Sequence, residues 1–273
     1  MVKAYKPSCL KDALEIINNK KCLLFAGGTD IMIKKKSFYS AEYNFENVLF
    51  LHSIDELKGI VSENSYIKIG SCCTLSYIVQ SKLIPKTFKD VVESMASPAI
   101  RNVATIGGNI CNASPAGDTL PYLYAVNAIL TLESLSGKRE VYIGDFIKGP
   151  KIIDIKNDEI LTEVKIPVED FDISIFKKVG TRKSTALSKV SFVGLAKKKN
   201  LKDIRIAFGA VGPTVVRSRE IEEKIINMDI KDIHKIIDMY SNIITPIDDQ
   251  RSTSLYRKEV SLRLLENFLL SFK

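Results

Sequence analysis

A short apolar run, Cys22 to Phe25, leads directly into Ala26-Gly27-Gly28-Thr29-Asp30. An apolar run of this length reads as a buried-type strand, and the glycine pair lets the backbone turn without Cβ obstruction. Amides in such a turn can converge into a concavity that suits an anion such as a diphosphate. Thr29 and Asp30 would then either cap the next helix or bond a ribose or phosphate. A plain tight turn would use the same residues. The segment is neither the G-x-G-x-x-G dinucleotide fingerprint nor the phosphate loop with its lysine. An apolar turn follows at Ile31, Met32 and Ile33.

Around this feature the pattern alternates. Val2 to Lys6 reads as a strand, and Ser8 as the N-cap of an amphipathic helix carrying Leu10, Ala13, Leu14, Ile16 and Ile17. Strands are expected at Val48 to Phe50, Tyr66 to Ile69, Ile129 to Leu132, Val141 to Ile143 and Ile160 to Ile166. Helices are expected from Thr74, over Lys86 to Met95, and over Leu120 to Val126. Past residues 168–172 the order changes. Three strands (Ile173 to Val179, Val190 to Lys197, Ile204 to Val211) precede three helices (Glu220 to Ile226, Lys231 to Ile244, Leu255 to Leu270). The chain therefore reads as α+β, with domains 1–168 and 169–273. The second is a small three-stranded antiparallel sheet with helices on one face.

A second glycine pair lies in the least regular stretch, residues 97–118. From Asn102 to Pro121 it holds Gly107-Gly108, three Asn, two Thr, Ser114 and Asp118. Long irregular segments inside a compact domain are usually functional. This one offers backbone donors for phosphate, hydroxyls and amides for a sugar chain, and a carboxylate for ribose or ribitol hydroxyls. A structural Ω-loop is the alternative.

Composition restricts the chemistry. Five cysteines (Cys9, Cys22, Cys72, Cys73, Cys111) are scattered without a C-x-x-C, and the two histidines, His52 and His234, lie far apart. Zinc sites and thiol redox motifs need closely spaced soft ligands, and so few histidines leave little for a nucleophilic triad. The chemistry is thus expected to come from a cofactor. The formal charge is +8, and residues 176–205 hold ten Lys/Arg against one acid, Asp203. A local excess without aromatic interleaving reads as a solvated basic hairpin, not as a nucleic-acid surface. No apolar run is long enough for a membrane span, and the N-terminus has no apolar signal region, so a cytoplasmic location is expected.

Ala26-Gly-Gly-Thr-Asp, Thr105-Ile-Gly-Gly-Asn and Ala113-Ser-Pro-x-Gly-Asp together resemble the FAD-binding medium subunit of the molybdenum hydroxylases. That family includes xanthine dehydrogenase and carbon monoxide dehydrogenase. Later segments agree in order: Asp158-Glu-Ile-Leu-Thr-Glu-Val-Lys-Ile-Pro167, Ile204-Arg-Ile-Ala-Phe-Gly-Ala-Val-Gly-Pro213 with Val216-Arg217, and Ser252-Thr-Ser-Leu-Tyr256-Arg257. The resemblance implies a two-part FAD-binding domain of the vanillyl-alcohol-oxidase type. It places Leu24, Phe25, Ala26, Gly27, Gly28, Thr29 and Asp30 along the cofactor, with Thr105, Gly108 and Asn109 meeting it from the second segment. Ser114 and Asp118 would hold cofactor hydroxyls, Leu161 would pack near a ring, and Lys177 would reach the cofactor. An ordinary core leucine and a solvated strand lysine remain the alternatives for the last two. Implied partners are a molybdenum-cofactor large subunit and a [2Fe-2S] small subunit, with NAD as an acceptor. The chain lacks the inserted cysteine-rich loop of members that reduce aromatic thioesters. Two other readings stand beside this one, a self-sufficient FAD oxidase and a non-redox nucleotide-binding or scaffold module.

Overall fold

The structure, a computed structural model, describes residues 2–34, 46–182, 185–197, 201–227 and 233–272. Lys183, Lys198 and Lys199 of the basic segment, and Lys231 at the start of a predicted helix, lie outside the described residues. The elements begin with β1 (Lys3–Tyr5), α1 (Leu10–Asn19), β2 (Leu23–Phe25), α2 (Ile31–Lys34) and β3 (Asn47–Phe50). Next come β4 (Ile60–Glu63), β5 (Tyr66–Gly70), α3 (Leu75–Gln80), α4 (Lys86–Glu93), α5 (Pro98–Arg101), α6 (Ile106–Cys111) and α7 (Thr119–Ala125). They continue with β6 (Ile129–Ser134), β7 (Gly137–Tyr142), α8 (Ile143–Phe146), β8 (Ile147–Gly149), β9 (Ile152–Ile153) and β10 (Ile160–Pro167). The last part holds β11 (Ile173–Gly180), β12 (Ser188–Lys197), β13 (Asp203–Gly209), α9 (Arg219–Asn227), α10 (Ile233–Ile243) and α11 (Ser254–Leu270).

Two compact units emerge, and neither is one stretch of chain. The first gathers Met1–Ile84, Ser97–Asn112 and Ala128–Pro167; the second gathers Pro85–Ala96, Ala113–Asn127 and Val168–Lys273.

In the first unit, β1 and β2 flank β3 in a parallel sheet, while β4-β5-β10-β6-β7 form an antiparallel one. Ala13, Leu14 and Ile17 share one face of α1, as helical spacing requires, and pack with Leu49, Leu51, Ile54, Leu57 and Ile160. The helix start departs from expectation. Cys9, not Ser8, is the N-cap, and it provides no side-chain cap. The Leu10 amide donates instead to Glu56 Oε1 at 3.0 Å, so a carboxylate 46 residues away does the capping. Sequence proximity could not reveal that. A half-buried clamp ties β7 to the segment before β10. Arg139 donates to both oxygens of Glu159, at 2.7 and 2.9 Å, and to Asp154 Oδ2 at 2.9 Å.

In the second unit, β11-β12-β13 form the expected three-stranded antiparallel sheet. Phe192 and Phe208 on one face meet Phe268 of α11 and Tyr240 of α10. The opposite face is covered by helices from much earlier in the chain. A Cβ on Gly209 would lie 2.4 Å from Ser191 Oγ and 2.8 Å from Pro121 Cγ, so the glycine permits α7 to sit on the strands. Phe88 of α4 stacks on Tyr122 of α7, with centroids 4.7 Å apart. The basic segment is partly neutralised within this unit. Arg205 pairs with Asp203 and Glu169, Lys197 lies 3.8 Å from Glu169, and Lys189 sits over the Tyr256 ring.

Candidate functional site

The strand before the first glycine pair is short because its partner is short. Leu24 and Phe25 pair with Leu49 and Phe50, and the Phe25 and Phe50 rings lie 5.1 Å apart. The chain then leaves the carboxyl end of the parallel strands, the usual location of ligand sites in such sheets. Gly27 is pressed against the neighbouring backbone: a Cβ there would stand 2.0 Å from the Val103 carbonyl oxygen. Gly28 has φ +70°, and its Cβ would collide with the Phe25 ring. The Gly28 carbonyl accepts from the Met32 amide at 3.0 Å, starting α2. Among the described residues, nothing accepts from the amides of Gly27, Gly28 or Thr29. Three successive unpaired donors are the material of an anion cradle. Thr29 is half-buried and Asp30 exposed.

The second glycine pair behaves differently, and here the expected irregular loop is corrected. Residues 98–101 and 106–111 are helices α5 and α6, and Gly107-Gly108 lies inside α6. Thr105 is its N-cap, accepting from the Gly108 amide at 3.2 Å. The Ile106 amide donates to Cys73 O and the Gly107 amide to Ser71 O. The backbone donors expected to serve a phosphate are therefore already used by the protein. Gly107 is a glycine because a Cβ would come within 2.7 Å of Ser71 Cβ. The pair serves close packing in a helix, which a glycine pattern alone does not distinguish from a loop. Thr105 is buried, Asn109 is half-buried, and Gly108 is exposed at the surface of α6.

A cavity of about 590 Å³ adjoins the cradle. Ala26 and Gly27 form part of its wall, with His52, Lys58, Gly59, Cys72, Cys73, Thr74, Tyr77, Asn102, Val103 and Thr105. Thr74 and Thr105 face each other in an antiparallel bridge, and Thr74 caps α3, the helix expected to open there. The two cysteines are inert wall. Burial raises both thiols, Cys72 to about 11, and Cys73 Sγ donates to the Gly59 carbonyl at 3.1 Å. Leu161, in β10 opposite Leu132, is 4% exposed.

The remaining expected residues belong to the second unit. Ser114 Oγ accepts from the Ala116 amide at 3.3 Å, closing a local turn. Asp118 is buried and occupied. Its Oδ2 accepts from Lys178 Nζ at 2.7 Å and its Oδ1 from Ser188 Oγ at 2.5 Å. Lys178 also donates to the Ser94 carbonyl at 3.0 Å. Lys177 is exposed, opposite Phe192 in the sheet register. Sequence reasoning thus missed Lys178 as the inward-facing lysine of this pair. Period-two alternation separates the two lysines onto opposite faces, yet only the cover from α4 and α7 makes the Lys178 face an interior one.

Residues 1–169 match the family model described as the FAD binding domain in molybdopterin dehydrogenase, and residues 175–272 match the CO dehydrogenase flavoprotein C-terminal domain. The chain belongs to this FAD-binding family of molybdopterin dehydrogenases. Its cofactor is FAD, and it is a flavoprotein component of an oxidoreductase. It is 30% identical to the glyceraldehyde dehydrogenase medium chain of Sulfolobus acidocaldarius, over 92% of this chain and 91% of that one. It is 26% identical to the xanthine dehydrogenase FAD-binding subunit of Escherichia coli O157:H7, over 93% and 89%. In fold it matches a chain of CO dehydrogenase from Oligotropha carboxidovorans with a TM-score of 0.89 at 21% identity, covering 98% and 96% of the two chains. The first unit fits the family's cofactor in its chemistry, since the unpaired amides of Gly27, Gly28 and Thr29 are suitable donors for a diphosphate. No helix among the described residues is long and apolar enough to cross a membrane.

Proposed function

We propose that this chain is the electron-transfer subunit of a multi-subunit molybdenum hydroxylase of the xanthine dehydrogenase type. The observation that carries the reading is the nearly end-to-end match to relatives named as medium chains or FAD-binding subunits. A chain equivalent to one subunit needs others. In this reading a molybdenum-cofactor large subunit hydroxylates a purine, releasing two electrons that pass through [2Fe-2S] clusters on a small subunit. When bound, FAD supplies the redox chemistry that collects these electrons and reduces NAD⁺ to NADH with one proton.

The chain's own task is to hold and shield that group. We assign Leu24, Phe25, Ala26, Gly27, Gly28, Thr29, Asp30, Thr105, Gly108, Asn109 and Leu161 of the first unit to cofactor binding. Ser114, Asp118 and Lys177 complete the proposed set. We also place the end of the flavin domain at residue 168, and the protein in the cytoplasm, where free thiols such as Cys22 persist. The test is purification of the native complex through this chain, identification of its partners by mass spectrometry, and assay with xanthine and NAD⁺. Large and small partners with NADH formation support the reading. Turnover of an aldehyde but not of xanthine would remove the purine, and a chain that purifies alone would remove the complex.

A further inference from the structure

The cradle supplies dipoles but no formal charge of its own, whereas a dinucleotide's diphosphate carries two negative charges. Among the described residues that line the adjoining cavity, none is Asp or Glu, and Lys58 is the only Lys or Arg. Its backbone is held firmly. The Lys58 amide closes the 3₁₀ turn Asp55–Leu57 by donating to Asp55 O at 3.0 Å, and the Cys72 amide donates to Leu57 O at 2.8 Å. Next to it, Gly59 O accepts from the Gly70 amide at 2.9 Å and from Cys73 Sγ. The side chain is held more loosely. Lys58 Nζ pairs with Asp55 Oδ1 at 2.8 Å, but the Asp55 side chain is 91% exposed. A pair so open to water contributes little and yields easily to a better anion.

We propose that Lys58 is the cation that neutralises the FAD diphosphate, and that Asp55 holds its ammonium in reserve until the cofactor arrives. The inference rests on the FAD reading and adds to it a binding residue, Lys58, and a positioning residue, Asp55, both outside the two glycine pairs. Two consequences follow from charge alone. Removing Lys58 weakens binding of phosphorylated flavins, and removing Asp55 frees the lysine and strengthens it.

The experiment titrates apo-protein with FAD and with riboflavin, which lacks phosphates, following the quenching of flavin fluorescence at several salt concentrations. Lys58→Met should bind FAD about tenfold more weakly, the scale of a charge-assisted hydrogen bond, and show a shallower salt dependence. Riboflavin affinity should be unchanged, Lys58→Arg should restore FAD binding, and Asp55→Asn should bind FAD more tightly than wild type. Circular dichroism and a thermal midpoint report folding for each variant. Equal FAD affinity and equal salt slope in Lys58→Met and wild type would overturn the role of Lys58. Parallel losses of FAD and riboflavin would also overturn it, by showing a structural effect. Failure of wild type itself to bind FAD would instead overturn the FAD reading.

Discussion

A methyl group added at Gly27 meets a carbonyl oxygen at 2.0 Å, and one added at Gly28 meets an aromatic ring in a backbone with φ +70°. Gly27→Ala should therefore cost about 1–3 kcal/mol by overpacking and empty the site of flavin. Gly28→Ala adds a left-handed backbone penalty of about 1–2 kcal/mol. Urea unfolding and flavin content measured on both variants check this; flavin-replete, wild-type-stable alanines would contradict it. The Cys72 thiol gives a pH signature. Burial raises it to about 11, so below the ordinary thiol value near 8.5 both folded and unfolded states are protonated and nothing changes. Between that value and 11 the unfolded chain loses its proton first, so stability falls as pH rises. Thermal midpoints across this window should decline less steeply in Cys72→Ala than in wild type. At the residue scale the glycines were legible in the sequence, but their reasons were not. The first pair read as a turn and the second as part of an irregular loop, and only the fold shows that Gly107 is pressed against Ser71 inside a helix.

At the scale of elements, α6 depends on its cap. Thr105→Val removes the acceptor for the Gly108 amide and should cost about 1 kcal/mol, with Thr105→Ser close to wild type in chemical denaturation. The strand bearing Lys178 depends on Asp118. Asp118→Ala leaves the lysine without its carboxylate in a site where its side chain is only 12% exposed, a loss of about 3–5 kcal/mol. Replacing Lys178 with Met in the same background should recover part of that loss in a double-mutant cycle. Element types followed from apolar periodicity, which is why the C-terminal three strands and three helices were readable. The helix caps and the α4–α7 cover were not, because both depend on partners distant in sequence: Glu56 caps α1 across 46 residues, and Pro121 meets Gly209.

For the whole molecule, the two compact units are interleaved along the chain. The second takes Pro85–Ala96 and Ala113–Asn127 from the N-terminal half. A fragment ending at residue 169 therefore keeps α4 and α7 but lacks the sheet they cover, leaving Pro121 without Gly209 and the buried Asp118 carboxylate without Lys178. Expressed alone, it should aggregate or bind a hydrophobic dye, and co-expression with residues 170–273 should restore solubility. A soluble, cooperatively unfolding 1–169 fragment would contradict this division. The sequence did not reveal this interleaving, since a boundary drawn from a composition shift follows the chain and not its contacts. The central claim is that Gly27, Gly28 and Thr29 present unpaired amides to the diphosphate of FAD. It is tested most directly by reconstituting the purified chain with FAD and measuring bound flavin per protein by visible absorbance, beside Gly27→Ala. Stoichiometric flavin in wild type and none in the variant is the predicted result, whereas a colourless wild type that FAD cannot reconstitute would contradict the claim.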